Sequence, residues 1–269
     1  MQNTLPTPIE ILLDPISLII LAMYGALMLW EVIAPAKQLP VIKGWKLRGL
    51  TSFAVFFYLS TYLPMFTDGY LAQYQLFDLT GLGTAGSTII GILVFQLGTW
   101  LWHRCMHASD FLWFTFHQMH HSAERLDTYG AFYFSLTDMI GWTLLGSVCL
   151  VPGVGLSAEA ATLVLLIVTF MAMLTHANIS TPRWLGYFVE RPESHSVHHE
   201  RGKHRSNYCE LPLFDILLGT FVNPQHHVEK VGFYDGASVR ILDMHLFRDV
   251  SKPETGSVIT NREINSQNA

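Results

Sequence analysis

STIIGILVFQLGTWLWHRCMHASDFLWFTFHQMHH, residues 87–121, runs from an apolar stretch straight into five histidines. A helix needs about 20 apolar residues to cross a bilayer, with about 17 near the lower limit. Residues 87–102 alone fall short of that. The helix is therefore expected to continue past the lipid and carry the first histidines into water. His103 and His107 are four apart, so on a helix they share one face. His117, His120 and His121 are spaced i, i+3, i+4, which again converges on one side.

The rest of the chain supports a membrane reading. Half of its 269 residues are hydrophobic and only 14% are charged, against about 25% charged in ordinary soluble domains. Mean hydropathy is +0.31. A net charge of −5 leaves no basic surface for nucleic acid. Cys105, Cys149 and Cys209 lack paired or metal-type spacing and read as small buried fillers. The opening MQNTLPTPIEILLDP lacks the basic start of a signal peptide. Nothing repeats.

Five apolar stretches stand out: Ile16–Ile33, Leu50–Phe66, Ser87–Trp102, Gly130–Val151 and Ala160–Thr175. The expected fold is an all-α, multi-pass integral membrane bundle of about four or five spans. Gln96 and Asp138 lie within spans and should face other helices rather than lipid. Residues 1–251 read as one membrane-embedded domain with a histidine-rich helical cap, and 252–269 as a polar, disordered tail.

Lysine and arginine set the sidedness. The segment before Ile16 and the connections 67–86 and 152–159 contain none. Lys37, Lys43, Lys46 and Arg48 follow the first span, Arg104 and Arg125 lie between the third and fourth, and ten more follow the fifth. Basic residues stay on the cytoplasmic side. An N-outside, five-span topology puts all sixteen there, and the histidines with them. The same charge count is compatible with re-entrant pairs. After the fifth span, Trp184, Tyr187 and Phe188 suit the headgroup layer. PLFDILLGTF (212–221) is too short to span.

His195, His198 and His199 repeat the i, i+3, i+4 spacing, and His176 ends the fifth span. A single histidine at a helix end is usually a capping or interfacial residue. Three boxes on one face, all beside membrane ends, point instead to a metal site. Nine candidate ligands exceed the four of a structural zinc, so a dinuclear centre uses them better: His103, His107, His117, His120, His121, His176, His195, His198 and His199. Imidazole suits zinc, copper, iron and nickel alike, so ligand type leaves the element open. Glu124, Asp127, Glu193 and Glu200 flank the boxes and could orient ring N–H groups; solvated charge explains each equally well. His204 could reach the site. His226 and His227 read as a turn, and His245 as surface or core.

HRCMH, HQMHH and HSVHH, in that order, resemble the boxes of the fatty acid hydroxylase/sterol desaturase superfamily of membrane di-iron enzymes. FHQMHHSAERLDTYGAFYF and NYCELPLFDILLGTF resemble further family segments, so the likeness covers roughly Trp102 to Phe221. Cys209 departs where glycine is common, and Leu218 where an aromatic is common. The resemblance implies two iron ions, molecular oxygen as co-substrate and a lipid substrate, a sterol or a fatty acyl or alkyl chain. It also implies an additional ligand near the end of a membrane helix, the place of His176. The implied chemistry is hydroxylation or desaturation.

Such chemistry needs a cofactor, because a saturated C–H bond offers side chains no acid, base or electrophile. No separate catalytic acid or base is identifiable. Nor is there a dinucleotide fingerprint, a haem attachment or an iron–sulfur cysteine set, so a separate reductase or a small carrier (cytochrome b5-like, ferredoxin or similar) must bring electrons. Arg201, Lys203 and Arg205 could dock it. The expected location is a bacterial inner membrane or endoplasmic reticulum with the boxes cytosolic. Competing readings are an acyl-lipid desaturase of the wider histidine-box class, a membrane zinc hydrolase, which lacks HExxH, and a metal transporter, whose ligands would lie near the membrane midplane.

Overall fold

The computed structural model describes residues 5–253; residues 254–269, most of the expected disordered tail, lie outside the described residues. The elements are α-helices: α1 (Pro8–Leu13), α2 (Pro15–Ile33), α3 (Trp45–Leu71), α4 (Gly83–Ala108), α5 (Asp110–Leu112), α6 (Gln118–His121), α7 (Leu136–Val148), α8 (Ala158–His176), α9 (Pro192–His198), α10 (Leu213–Leu217) and α11 (Ile241–His245), joined by short 3₁₀ and π turns. An isolated bridge between Glu200 and Val231 is the β pairing found among the described residues. Five helices are long and apolar enough to cross a membrane: α2, α3, α4, α7 with the turn after it, and α8. The chain is thus a multi-pass membrane protein.

Their bounds differ from the apolar stretches in instructive ways. The 26 residues of α4 run through His103 and His107 to Ala108, about 39 Å at 1.5 Å per residue. The span looked short only because its last turns carry imidazoles. The fourth span begins at Leu136, not Gly130. Ser135 is its N-cap, with the hydroxyl accepting from the Asp138 amide at 3.2 Å, and such a cap fixes where a helix can start. Residues 128–130 form a separate 3₁₀ turn whose first amide is bonded by Glu31 at 2.7 Å.

The C-terminal ends of α2, α4 and α8 and the N-terminal ends of α3 and α7 gather at one end of the bundle. The Lys37 amide donates to Asn178 at 3.2 Å, tying the end of α2 to the end of α8. The Trp45 indole, at the start of α3, donates to Asp127 at 2.9 Å. Ser52 of α3 donates to the Phe132 carbonyl at 2.6 Å. Gly49 lets α3 lie directly against the Tyr129 carbonyl, where a Cβ would collide.

Aromatic packing fills the space between α2, α3 and the segment before α7. Tyr24 stacks on Phe53 at 4.1 Å, and Phe53, Phe57 and Phe132 join them in one buried cluster. Gln96 is fully buried, donating to Glu210 at 2.8 Å and accepting from the Leu211 amide at 2.9 Å. It therefore faces protein, and tethers the segment before α10 to α4. Cys149 and Cys209 are buried, but Cys105 is exposed, on the side of α4 away from its histidines.

Candidate metal centre

All nine histidines meet at the end where those helix termini gather. They form two groups whose nitrogens lie within 4.8 Å of one another: His103, His107, His117, His121 and His198 in one, and His120, His176, His195 and His199 in the other. The boxes are not pooled box by box. His117 and His121 join the first group while His120 joins the second. His195 and His199 join the second while His198 joins the first. Each HxxHH motif gives its i, i+4 pair to one group and its middle histidine to the other. Side chains three and four apart project from one helical face but at different azimuths, so a box can serve two neighbours.

The local backbone makes this division. Trp113–His117 is a π turn between α5 and α6, a deviation that is frequent at functional sites. His176 closes α8 and returns its Nδ1 to the Ala172 carbonyl at 2.8 Å. Pro192 starts α9, where its missing N–H costs nothing, and the box follows.

Ring orientation follows from the hydrogen bonds at the outer nitrogens. Backbone carbonyls only accept. The Nδ1 atoms of His103, His176 and His198 therefore donate, to Tyr208 at 2.9 Å, Ala172 at 2.8 Å and Ser206 at 2.7 Å. Each then presents an Nε2 lone pair to its group. In the second group the Nε2 atoms of His120, His176, His195 and His199 follow one another at 3.1, 3.0 and 3.1 Å. In the first, Nε2 of His117 lies 2.8 Å from that of His103, and Nε2 of His198 lies 3.0 Å from that of His121. Metal–nitrogen bonds of roughly 2.1 Å at right angles place neighbouring nitrogens roughly 3.0 Å apart. The donors thus fit a transition-metal ion in each group. The buried Nε2 of His107 has no protein partner, as a ligand atom should.

Burial pushes His117, His120, His121, His195, His198 and His199 well below the ordinary imidazole range, and neighbouring imidazoles add to it. Neutral imidazole is the form that binds metal. The groups abut: His121 of one stacks on His199 of the other at 4.1 Å.

The carboxylates that touch the histidines are not those nearest in sequence. Asp138 lies 3.3 Å from His117 Nδ1 and Glu190 lies 3.2 Å from His195 Nδ1, one for each group. Glu124 instead accepts from the Gly236 and Ser238 amides, Asp127 from Trp45 and Arg125, Glu193 from Thr181 and Arg191, and Glu200 from Lys203. His204 is not in either group but contacts His121, Nδ1 to Nδ1, at 3.1 Å. His226, His227 and His245 stay outside both groups. Arg201 and Lys203 are occupied by Asp235 and Glu200.

Residues 88–220 match the fatty acid hydroxylase family. The chain is 30% identical over 144 residues to the ornithine lipid hydroxylase OlsE of Rhizobium tropici, a match spanning 52% of this chain and 43% of that relative. No solved structure matches.

Proposed function

We propose that the protein hydroxylates an unactivated carbon in the hydrocarbon chain of a membrane lipid, because residues 88–220, which carry all nine histidines, match the fatty acid hydroxylase family. Dioxygen is the oxidant and the centre holds two iron ions. The observation that carries this reading is the sorting of nine imidazoles into two abutting groups at the end of membrane helices.

The metal pair would supply the oxygen activation and hydrogen abstraction that side chains cannot perform. His103, His107, His117, His121 and His198 would hold one ion, and His120, His176, His195 and His199 the other. Asp138 and Glu190 fix the rings of His117 and His195, and the carbonyls of Tyr208, Ala172 and Ser206 fix three more. Oriented rings hold their lone pairs inward without reorganisation. Phe134, its ring 4.8 Å from that of His120, gives the second group an apolar neighbour. An all-imidazole set also keeps the site free of ligand charge, which suits a hydrocarbon substrate.

The relative's name makes ornithine lipid the first candidate substrate. The chain adds an oxygen atom to that lipid or to another acyl lipid, the histidine face is cytosolic, and electrons come from a separate donor protein. The test is comparative lipid mass spectrometry of cells with and without the protein, followed by the purified protein with iron, oxygen and a reductant. The expected product is a lipid heavier by one oxygen atom. A product lacking two hydrogens would move the reading to desaturation. Unchanged lipids in both arms would reject oxidation of a lipid altogether.

A further inference from the structure

Among the described residues, four non-glycine residues have positive φ, and three fall in one loop: His204 (44°), Ser206 (75°) and Asn207 (52°). L-residues rarely adopt this conformation, and a stretch of it persists only where its surroundings over-determine it. Here the surroundings do so. The Asn207 amide donates to the Thr220 carbonyl at 3.0 Å, and its side chain donates to Ser194 and Val222 at 2.8 and 2.9 Å. Its side-chain oxygen Oδ1 also accepts from the Val222 amide at 2.8 Å. Asp215 then receives the Tyr208 and Cys209 amides at 2.9 and 3.2 Å.

What this loop touches is the five-histidine group. The Ser206 carbonyl receives His198 Nδ1, the Tyr208 carbonyl receives His103 Nδ1, and the His204 ring meets His121 Nδ1. His204 is itself wedged between Phe233 and Trp113, at ring distances of 5.1 and 5.9 Å. The Tyr208 ring also lies 5.5 Å from that of His107, so one short segment contacts four of the five rings. The four-histidine group takes its outer contacts elsewhere, at Ala172 and Glu190.

We propose that the loop His204–Tyr208 is the positioning element of the five-histidine group, with His204 setting the ring of His121 and Asn207 holding the loop in its left-handed form. His204 on this account is a positioning residue and not a ligand. The proposal rests on the metal reading above. It makes a selective claim: disturbing the loop weakens one ion site and spares the other.

The test is a cobalt(II) titration of the purified full-length chain in detergent against a competing chelator, read by bound metal and by visible absorption. H204G removes the ring without penalising positive φ. H204N keeps a residue that tolerates this conformation and returns a polar amide close to the lost Nδ1. In H204G one ion should bind as in the parent and the other roughly 10- to 100-fold more weakly, the range for loss of a ligand's outer partner. Its absorption bands should shift, and H204N should recover most of the affinity. Two ions bound by H204G at parental affinity would overturn the proposal. So would equal weakening of both sites, or an H204N no better than H204G. A parent chain that takes up no cobalt would overturn the metal reading and this inference together; a parent with two ions and an unaffected H204G would overturn this inference alone.

Discussion

The imidazole of His121 lies nearly flat on that of His199, 4.1 Å between centroids and 16° between planes, although the two belong to different groups. Its neighbour His120 turns the other way and approaches His176 at 3.1 Å. Two adjacent residues thus serve opposite sides of a shared wall, and each should report on a different ion.

His120→Ala removes a nitrogen from the four-histidine group alone. Bound metal should fall by about half, because a site losing one of four ligands no longer competes with chelator, and turnover should vanish. Metal analysis beside lipid turnover checks this. Full activity with full metal content would remove His120 from the ligand set.

Asp138→Asn and Glu190→Gln keep shape and replace the carboxyl oxygen facing Nδ1 of His117 and of His195 with an amide. Each should lower metal affinity at its own group by roughly 10- to 100-fold, with helix content unchanged by circular dichroism. Chelator titration reads the affinities. Parental values in both variants would leave the carboxylates with a packing role.

Acid should destabilise the metal-free protein in a defined window. Burial holds His204 at about 4, below the usual 6.5, and the box histidines outside the spans are lowered in the same direction. Above about 6.5 neither folded nor unfolded chain binds these protons, so stability does not respond to them. Between about 6.5 and about 4 the unfolded chain takes up protons that the fold refuses, and stability falls as pH falls. Thermal unfolding in detergent across this range should show a declining midpoint. A constant midpoint would contradict neutral burial.

Gly49→Val tests the approach of α3 to the 128–130 turn. The added side chain meets the Tyr129 carbonyl, which is backbone and cannot swing aside. Overpacking of this kind costs about 1–3 kcal/mol. The melting temperature should drop, whereas Gly69→Ala, facing open space in the same helix, should change little.

The spans and the boxes were legible in sequence because both are local patterns: apolar runs, and histidines at helical spacing. What escaped was set by contacts distant in the chain. Its place inside an apolar stretch marks Asp138 as a polar residue facing other helices, which it does, but nothing local says that it reaches His117, 21 positions away. Proximity in sequence favours Glu193, which stands closer to the third box than Glu190 does. Glu193 is consumed by Arg191 and Thr181, and the more distant carboxylate touches the ring. Spacing alone also implied that each box converges as a unit. The sharing of each box between two groups depends on where α8 and α9 bring His176 and His195, and only the folded chain holds that information.

The cross-shared boxes impose an order on biosynthesis. The five-membered group waits for His198, and the four-membered group waits for His195 and His199. A chain stalled at Ser194 already holds six of the nine rings and all five apolar helices, yet neither constellation is finished. On the dinuclear reading, loading of the smaller group is therefore a late event, following membrane insertion, and a ribosome-arrested chain ending there, with two of that group's four rings, should retain no more than one tightly held ion.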